Sequence, residues 1–165
     1  MVKKLVPDKT VDTVFEVTPE LVRACGGKMV IFDIDNTLVS HDTPHPTPEI
    51  CTFLKKFEQE GIKIALVSNN SKVRVSLFNQ SLGLPASHRS AKPFKFALKR
   101  AARRAGVSAE EVVLVGDQLF TDIWGGNRMG FTTVLVTPIK RDETRFVSLK
   151  RRFEEKIIGK DEKKG

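Results

Sequence analysis

Lys28-Met29-Val30-Ile31-Phe32-Asp33-Ile34-Asp35-Asn36-Thr37-Leu38 is an apolar strand that ends in two aspartates one residue apart, followed by Asn and Thr. One Asp would be enough to stop a strand at a turn. Two carboxylates at i and i+2 share a face while the backbone stays extended. Like charges so close together are costly unless a cation or a phosphoryl group is handled there. Asp-x-Asp by itself is a common pattern, so its meaning rests on what surrounds it.

Outward from this strand the chain alternates. Thr18-Pro19-Glu20 opens a helix that Gly26 stops, with Thr18 as N-cap and Pro19 at the first helical position. Thr47-Pro48-Glu49 repeats the opening, Ile50, Phe53, Leu54 and Phe57 follow at helical spacing, and Gly61 ends the run. Strands are expected at 28–34, 62–67, 86–90, 112–115 and 132–136, and helices at 71–82, 93–105 and 119–129. Ser108 and Glu111 form a capping-box pattern just before the fourth of these strands. Apolar strands alternating with helices imply an α/β fold: a three-layer, Rossmann-like arrangement with a five-stranded, mainly parallel sheet covered on both faces. Right-handed crossovers bring all strand C-termini to one edge, where such sheets bind ligands.

Composition sets the frame. The 165 residues are enough for one domain with a real core, and 40% hydrophobic with 29% charged residues is ordinary for a soluble globular protein. No apolar stretch is long enough to span a bilayer, and no signal-peptide core follows the basic start at Lys3-Lys4. Cys25 and Cys51 stand alone, which suits a reducing cytoplasm rather than a disulfide scaffold. The net charge of +8 favours anionic partners: phosphate esters, anionic lipid headgroups or RNA.

The chemistry-bearing residues fall at the expected ligand edge. Ser68-Asn69-Asn70 follows the second strand. It either caps the next helix or lends the Ser68 hydroxyl and nearby N–H groups to phosphoryl oxygens. Lys92, in Ala91-Lys92-Pro93, is either a solvated lysine or a cation for developing phosphoryl charge. Gly116-Asp117-Gln118-Leu119-Phe120-Thr121-Asp122 is a glycine turn at a strand end with two further carboxylates. Mg²⁺ takes one or two protein carboxylates in octahedral oxygen geometry. Asp33 and Asp117 can supply these, with the Asp35 backbone carbonyl as a third oxygen, while Asp122 orients a water or Lys92.

In that order, Asp33-Ile34-Asp35-Asn36-Thr37, Ser68, Lys92 and Gly116-Asp117 with Asp122 resemble the four motifs of haloacid-dehalogenase-type phosphatases. Ser68-Asn69-Asn70, Ala91-Lys92-Pro93, Gly116–Asp122 and Gly125-Gly126-Asn127-Arg128 look like the YqeG-type, subclass IIIA branch, which is similar to mitochondrial phosphatidylglycerophosphate phosphatases. The resemblance covers nearly the whole chain. It implies Asp33 as a nucleophile that forms an aspartyl-phosphate, Asp35 as general acid and base, and Mg²⁺ bridging Asp33 and the phosphoryl group. It implies Ser68, Asn69 and Lys92 on the phosphoryl oxygens, and Thr37 and Asp122 as supports.

Ser68 lies 35 residues after Asp33, and Lys92 a further 24. Neither interval leaves room for a cap domain, so 1–159 is expected to be one capless domain and 160–165 a frayed basic tail. The resemblance associates such open sites with large substrates or homo-oligomers. The loop at 40–46, with His41 and His45, is the local lid candidate, although exposed loop histidines are the simpler reading. Lys95, Lys99, Arg100, Arg103 and Arg104 line one helix, and Lys150-Arg151-Arg152 begins a second basic cluster. Phe146, Leu149, Phe153 and Ile157 give a C-terminal helix an apolar stripe. Both basic stretches are either solvated faces or contacts for anionic lipid at a membrane surface. Three readings follow: a phosphatase acting on phosphatidylglycerophosphate, the same chemistry on a soluble or nucleic-acid phosphate, and a non-catalytic RNA-binding or assembly factor. Asp35, which binding alone would not need, and the lack of an RNA-binding motif with stacking aromatics argue against the third.

Overall fold

The computed structural model describes residues 5–88 and 95–140. The strands are β1 (Lys9–Val11), β2 (Met29–Asp33), β3 (Lys63–Val67), β4 (Ala86–Ser87), β5 (Val112–Gly116) and β6 (Thr132–Val136). They form one sheet in the order β1-β6-β5-β2-β3-β4, and every pairing is parallel. The helices are α1 (Pro19–Ala24), α2 (Pro48–Gln59), α3 (Lys72–Asn79), α4 (Lys95–Ala105) and α5 (Trp124–Met129). The expected layered α/β fold is present. The sheet has six strands rather than five, because β1 adds an edge.

Strand periodicity sorts the core into two layers. Val30 and Phe32 of β2, Ile64 and Leu66 of β3, and Val113 and Val115 of β5 pack on one face beneath α1, α2 and α3. Met29, Ile31, Ala65, Val67, Val112 and Leu114 pack on the other, beneath α4 and Met129 of α5. With both faces covered, β2 and β5 are buried throughout. Phe32, Phe53 and Phe57 meet edge to face, with centroids 5.2–5.7 Å apart.

Local signals explain most boundaries. The Thr18 hydroxyl accepts from the Leu21 N–H and the Thr47 hydroxyl from the Ile50 N–H, each at 3.2 Å. The Ser108–Glu111 capping box is present and leads through a short 3-10 turn into β5. The third helix ends at Asn79 rather than at 82. The Asn79 side chain binds both backbone groups of Leu84, at 2.7 and 3.0 Å, and folds the chain back. The helix expected over 119–129 starts as a wide π turn, Leu119–Ile123, before α5. The strand expected over 86–90 is Ala86–Ser87. Lys92, the start of the helix expected at 93, the C-terminal stripe and the 150–152 cluster lie outside the described residues.

β1 is held by an N-terminal strap. The Thr133 N–H donates to the Asp8 carboxylate (2.8 Å), and the Asn127 amide donates to the Val6 carbonyl (2.9 Å). The chain between β2 and β3 supplies one loop and α2, and that between β3 and β4 supplies α3, so among the described residues no cap domain is inserted at either point. No helix among the described residues is long and apolar enough to cross a membrane.

Phe57 is fully buried at the centre of the aromatic cluster. Phe57→Ala is expected to lower unfolding free energy by about 3–5 kcal/mol, measured by urea denaturation, with an unchanged circular dichroism spectrum.

Candidate active site

β2 lies mid-sheet, with β5 on one side and β3 on the other. Register puts Phe32 opposite Val115 and Asp33 opposite Val67. The segments leaving all three strands therefore meet at one edge. They line an open crevice of about 380 Å³ whose walls include Asp33, Asp35, Ser68, Asn69 and Asp122.

Asp33 continues the face of Met29 and Ile31 and is buried. Carboxylate oxygens of Asp33, Asp117 and Asp122 lie within 4.8 Å of one another. Asp122 reaches inward because the π turn swings it back. Its carboxylate accepts from the Gln118 N–H at 3.1 Å, and its backbone N–H returns to the Gln118 carbonyl at 2.9 Å. Gly116 makes room for it: a Cβ there would stand 2.6 Å from the Asp122 Cβ and closer still to its carboxylate. Thr37 is fully buried, with its hydroxyl 3.3 Å from Asp33 and 3.4 Å from Asp117, so one proton is shared between two acceptors.

The electrostatics are severe. Burial, then the neighbouring charges of Asp122 and Asp117, hold the Asp33 carboxyl well above the ordinary carboxylate range. Burial pushes Asp117 up to about 6, against the lowering effect of its hydrogen bonds to Asp33, its own backbone and Thr37. The donor set is all oxygen and clustered, with three carboxylates converging among the described residues. A hard divalent cation such as Mg²⁺ fits it.

Asp35 sits in a different environment. The chain turns sharply after Ile34: Asn36 adopts φ +61° and its N–H donates to the Val39 carbonyl at 2.7 Å. Asp35 therefore does not share a donor set with Asp33, as simple strand alternation would have it. Its carboxylate accepts from the Ser68 hydroxyl and the Asn70 amide, each at 3.3 Å, and from Arg74 Nε and Nη2 at 3.2 and 3.0 Å. Ser68 does not cap α3: Ser71 does, accepting from the Arg74 N–H at 3.2 Å. Asn69 and His41 also line the crevice.

Arg74 is the site residue that the sequence reading missed. It also donates through Nη1 to the Pro44 carbonyl at 3.0 Å, tying the 40–46 loop to α3. Its signal was a positive charge in the first turn of a helix with no acid there, where the macrodipole disfavours it. The same loop is anchored at its other end, where Asp42 pairs with Lys140 and accepts from Ser40.

Three outcomes test this geometry. An acid whose folded pKa is raised binds more protons folded than unfolded, so its cost is absent at low pH and grows as pH rises from about 4 through 6. Asp117→Asn should therefore raise metal-free stability at pH 7 by about 2 kcal/mol and not at pH 3.5, read by urea denaturation in chelator. Added Mg²⁺ should stabilise the unmodified protein more than the variant. Arg74→Ala should lower kcat/KM by roughly 10–100-fold through misplacement of Asp35, with Arg74→Lys recovering only part, measured by phosphate release.

The chain resembles known phosphatases in sequence and in fold. The HAD-hydrolase-like family matches residues 90–149. The chain is 39% identical over 166 residues to the probable phosphatase YqeG of Bacillus subtilis, covering 100% of this chain and 96% of that protein. It is 31% identical over 138 residues to phosphatidylglycerophosphate phosphatase 1, chloroplastic/mitochondrial, of Arabidopsis thaliana, covering 78% of this chain but 39% of that one. The structure of 3-deoxy-D-manno-octulosonate 8-phosphate phosphatase from Moraxella catarrhalis, in complex with magnesium, phosphate and KDO, is similar at a TM-score of 0.55. That match has 18% identity and covers 70% of this chain and 71% of that one, a likeness of fold. With a relative matched over the whole of this chain and 96% of that protein, the chain belongs to the YqeG-type phosphatases of the haloacid-dehalogenase-like superfamily.

Proposed function

We propose that the chain is a Mg²⁺-dependent phosphomonoester hydrolase that works through an aspartyl-phosphate on Asp33, with phosphatidylglycerophosphate as its substrate. The observation that carries the chemistry is the contrast between two aspartates of one crevice. Asp33 stands among carboxylates that call for a cation, and Asp35 among hydroxyl, amide and guanidinium donors. One is suited to attack, the other to proton transfer.

In the first half-reaction an Asp33 carboxylate oxygen bonds to phosphorus while the P–O bond to the alcohol breaks. Asp35 gives its proton to the departing oxygen. In the second, Asp35 takes a proton from water as that water bonds to phosphorus, and Asp33 leaves as carboxylate with inorganic phosphate. A bound Mg²⁺ supplies positive charge against the Asp33–Asp117–Asp122 cluster and the phosphoryl oxygens. Ser68 and Asn69 hold the equatorial oxygens, and Lys92 adds a cation there. Thr37 braces Asp33 against Asp117.

The substrate reading is supported by the similarity to the Arabidopsis phosphatidylglycerophosphate phosphatase and by the open crevice, which leaves room for a bulky ester. The +8 charge suits an anionic lipid and, with it, work at the cytoplasmic surface of a membrane. A soluble phosphate ester is the competing substrate.

Asp33→Asn should abolish phosphate release while leaving the thermal unfolding profile cooperative. Asp35→Asn should slow turnover by roughly 10²–10⁴. Chelation should stop the reaction reversibly. Phosphatidylglycerophosphate in detergent micelles should be turned over with a kcat/KM well above that of soluble sugar and nucleotide phosphates; the reverse order would exclude the lipid substrate.

A further inference from the structure

Six large apolar side chains are exposed among the described residues: Phe15, Val73, Leu77, Phe96, Phe120 and Ile139. Single exposed apolar residues are normal, but their placement here is one-sided. In an all-parallel sheet every segment leaving a strand emerges at the same edge. Val73 is in the first turn of α3 after β3, Phe96 in the first turn of α4 after β4, Phe120 in the turn after β5, and Ile139 just after β6. Phe15 follows β1 at that edge and is partly covered by Phe53. Leu77, midway along α3, is the exception. The most exposed are Phe96 at 85%, Val73 at 76% and Phe120 at 59%, and all three follow strands close to β2. Among the described residues the opposite edge carries none. These side chains do not line the crevice itself, but they leave the edge that holds it partly apolar.

Exposed lysines stand beside the two most exposed of them: Lys72 precedes Val73 and Lys95 precedes Phe96. Lys140, after Ile139, is paired with Asp42, and Glu16 follows Phe15. The first turns of α3 and α4 contain no acid, whereas those of α1 and α2 contain Glu20 and Glu49. Lysine there adds to the positive end of each helix macrodipole, and at α3 the Asp35 carboxylate meets part of that charge through Arg74. Apolar tips interspersed with lysines around an open phosphate-handling crevice match an anionic lipid headgroup layer. A second copy of the chain would bring lysine against lysine.

We propose that this rim is a membrane-docking surface. Val73, Phe96 and Phe120 enter the headgroup region of an anionic bilayer, Lys72 and Lys95 meet lipid phosphates, and the crevice opens onto the ester to be hydrolysed. That last step rests on the lipid-phosphate reading of the site; the docking itself rests on the rim.

The experiment is co-sedimentation of the full chain with vesicles of phosphatidylcholine plus phosphatidylglycerol, and of phosphatidylcholine alone. Binding should require the anionic lipid and weaken with salt. Phe96→Ser should weaken it about tenfold, and Val73→Ser with Phe96→Ser further, with turnover of p-nitrophenyl phosphate unchanged. Failure of the unmodified protein to bind anionic vesicles at low salt, or equal binding by the double variant, overturns the proposal. So does a concentration-dependent dimer in sedimentation velocity that the double variant abolishes without any vesicle binding, which makes the rim an interface between copies. Hydrolysis of phosphatidylglycerophosphate in detergent micelles separates the two readings. Turnover there without vesicle binding removes docking and leaves the substrate, and vesicle binding without turnover removes the substrate and leaves docking.

Discussion

The repulsion among Asp33, Asp117 and Asp122 is the constraint on which the site depends. Left to themselves, three carboxylates with oxygens within 4.8 Å would separate or take up protons. They are held because β2 and β5 are hydrogen-bonded neighbours buried on both faces, which fixes where each strand ends. Gly116 removes the atoms that would keep Asp122 out, and Thr37 shares its proton across the gap. The hydrophobic layers thus do electrostatic work, since Asp33 cannot leave the cluster without disturbing a buried central strand. On the proposed mechanism, that tension is what a hard cation would relieve.

Asp35, two residues from Asp33, escapes this cluster through the turn at Asn36. Its carboxylate faces the N-terminal end of α3 and is gripped by Arg74, which also holds Pro44. On the proposed mechanism, proton transfer and the nearest loop over the crevice therefore share one guanidinium. The positive charge of Arg74 is poorly matched to the helix start it occupies and well matched to the aspartate it meets, so a local cost supports a distant contact.

Much of this was legible in the sequence. Thr18 and Thr47 mark helix starts by a side-chain bond three residues away, which any reader of the chain can anticipate. Asp33 and Asp117 were legible as a pair because strand alternation dictates a common edge. What escaped involves partners that local spacing does not encode. β1 is a mostly exposed three-residue strand whose only recommendation is a neighbour far along the chain. The early end of α3 depends on one amide folding back onto Leu84. The π turn exists because Asp122 is drawn toward Gln118 and Gly116, and Arg74 acquires meaning only when α3 is docked beside β2. Strand alternation misled at one point: it carried the shared face past Ile34, where the backbone had already left the sheet.

The order of strands also governs when this protein becomes itself during synthesis. β2 leaves the ribosome early, but its neighbour β5 is encoded some eighty residues later, the separation spanned by the Thr37–Asp117 contact. The outermost strand waits longer still, since the strap from Asp8 closes on Thr133, 125 residues downstream. Such distant pairings slow folding and leave the half-made sheet with an unpaired edge. They also keep the acidic pocket from being assembled piecemeal. The nascent chain carries a lone, solvated aspartate until the strand bearing its rivals docks, so the penalty of crowding them falls at the moment when the rest of the core can offset it.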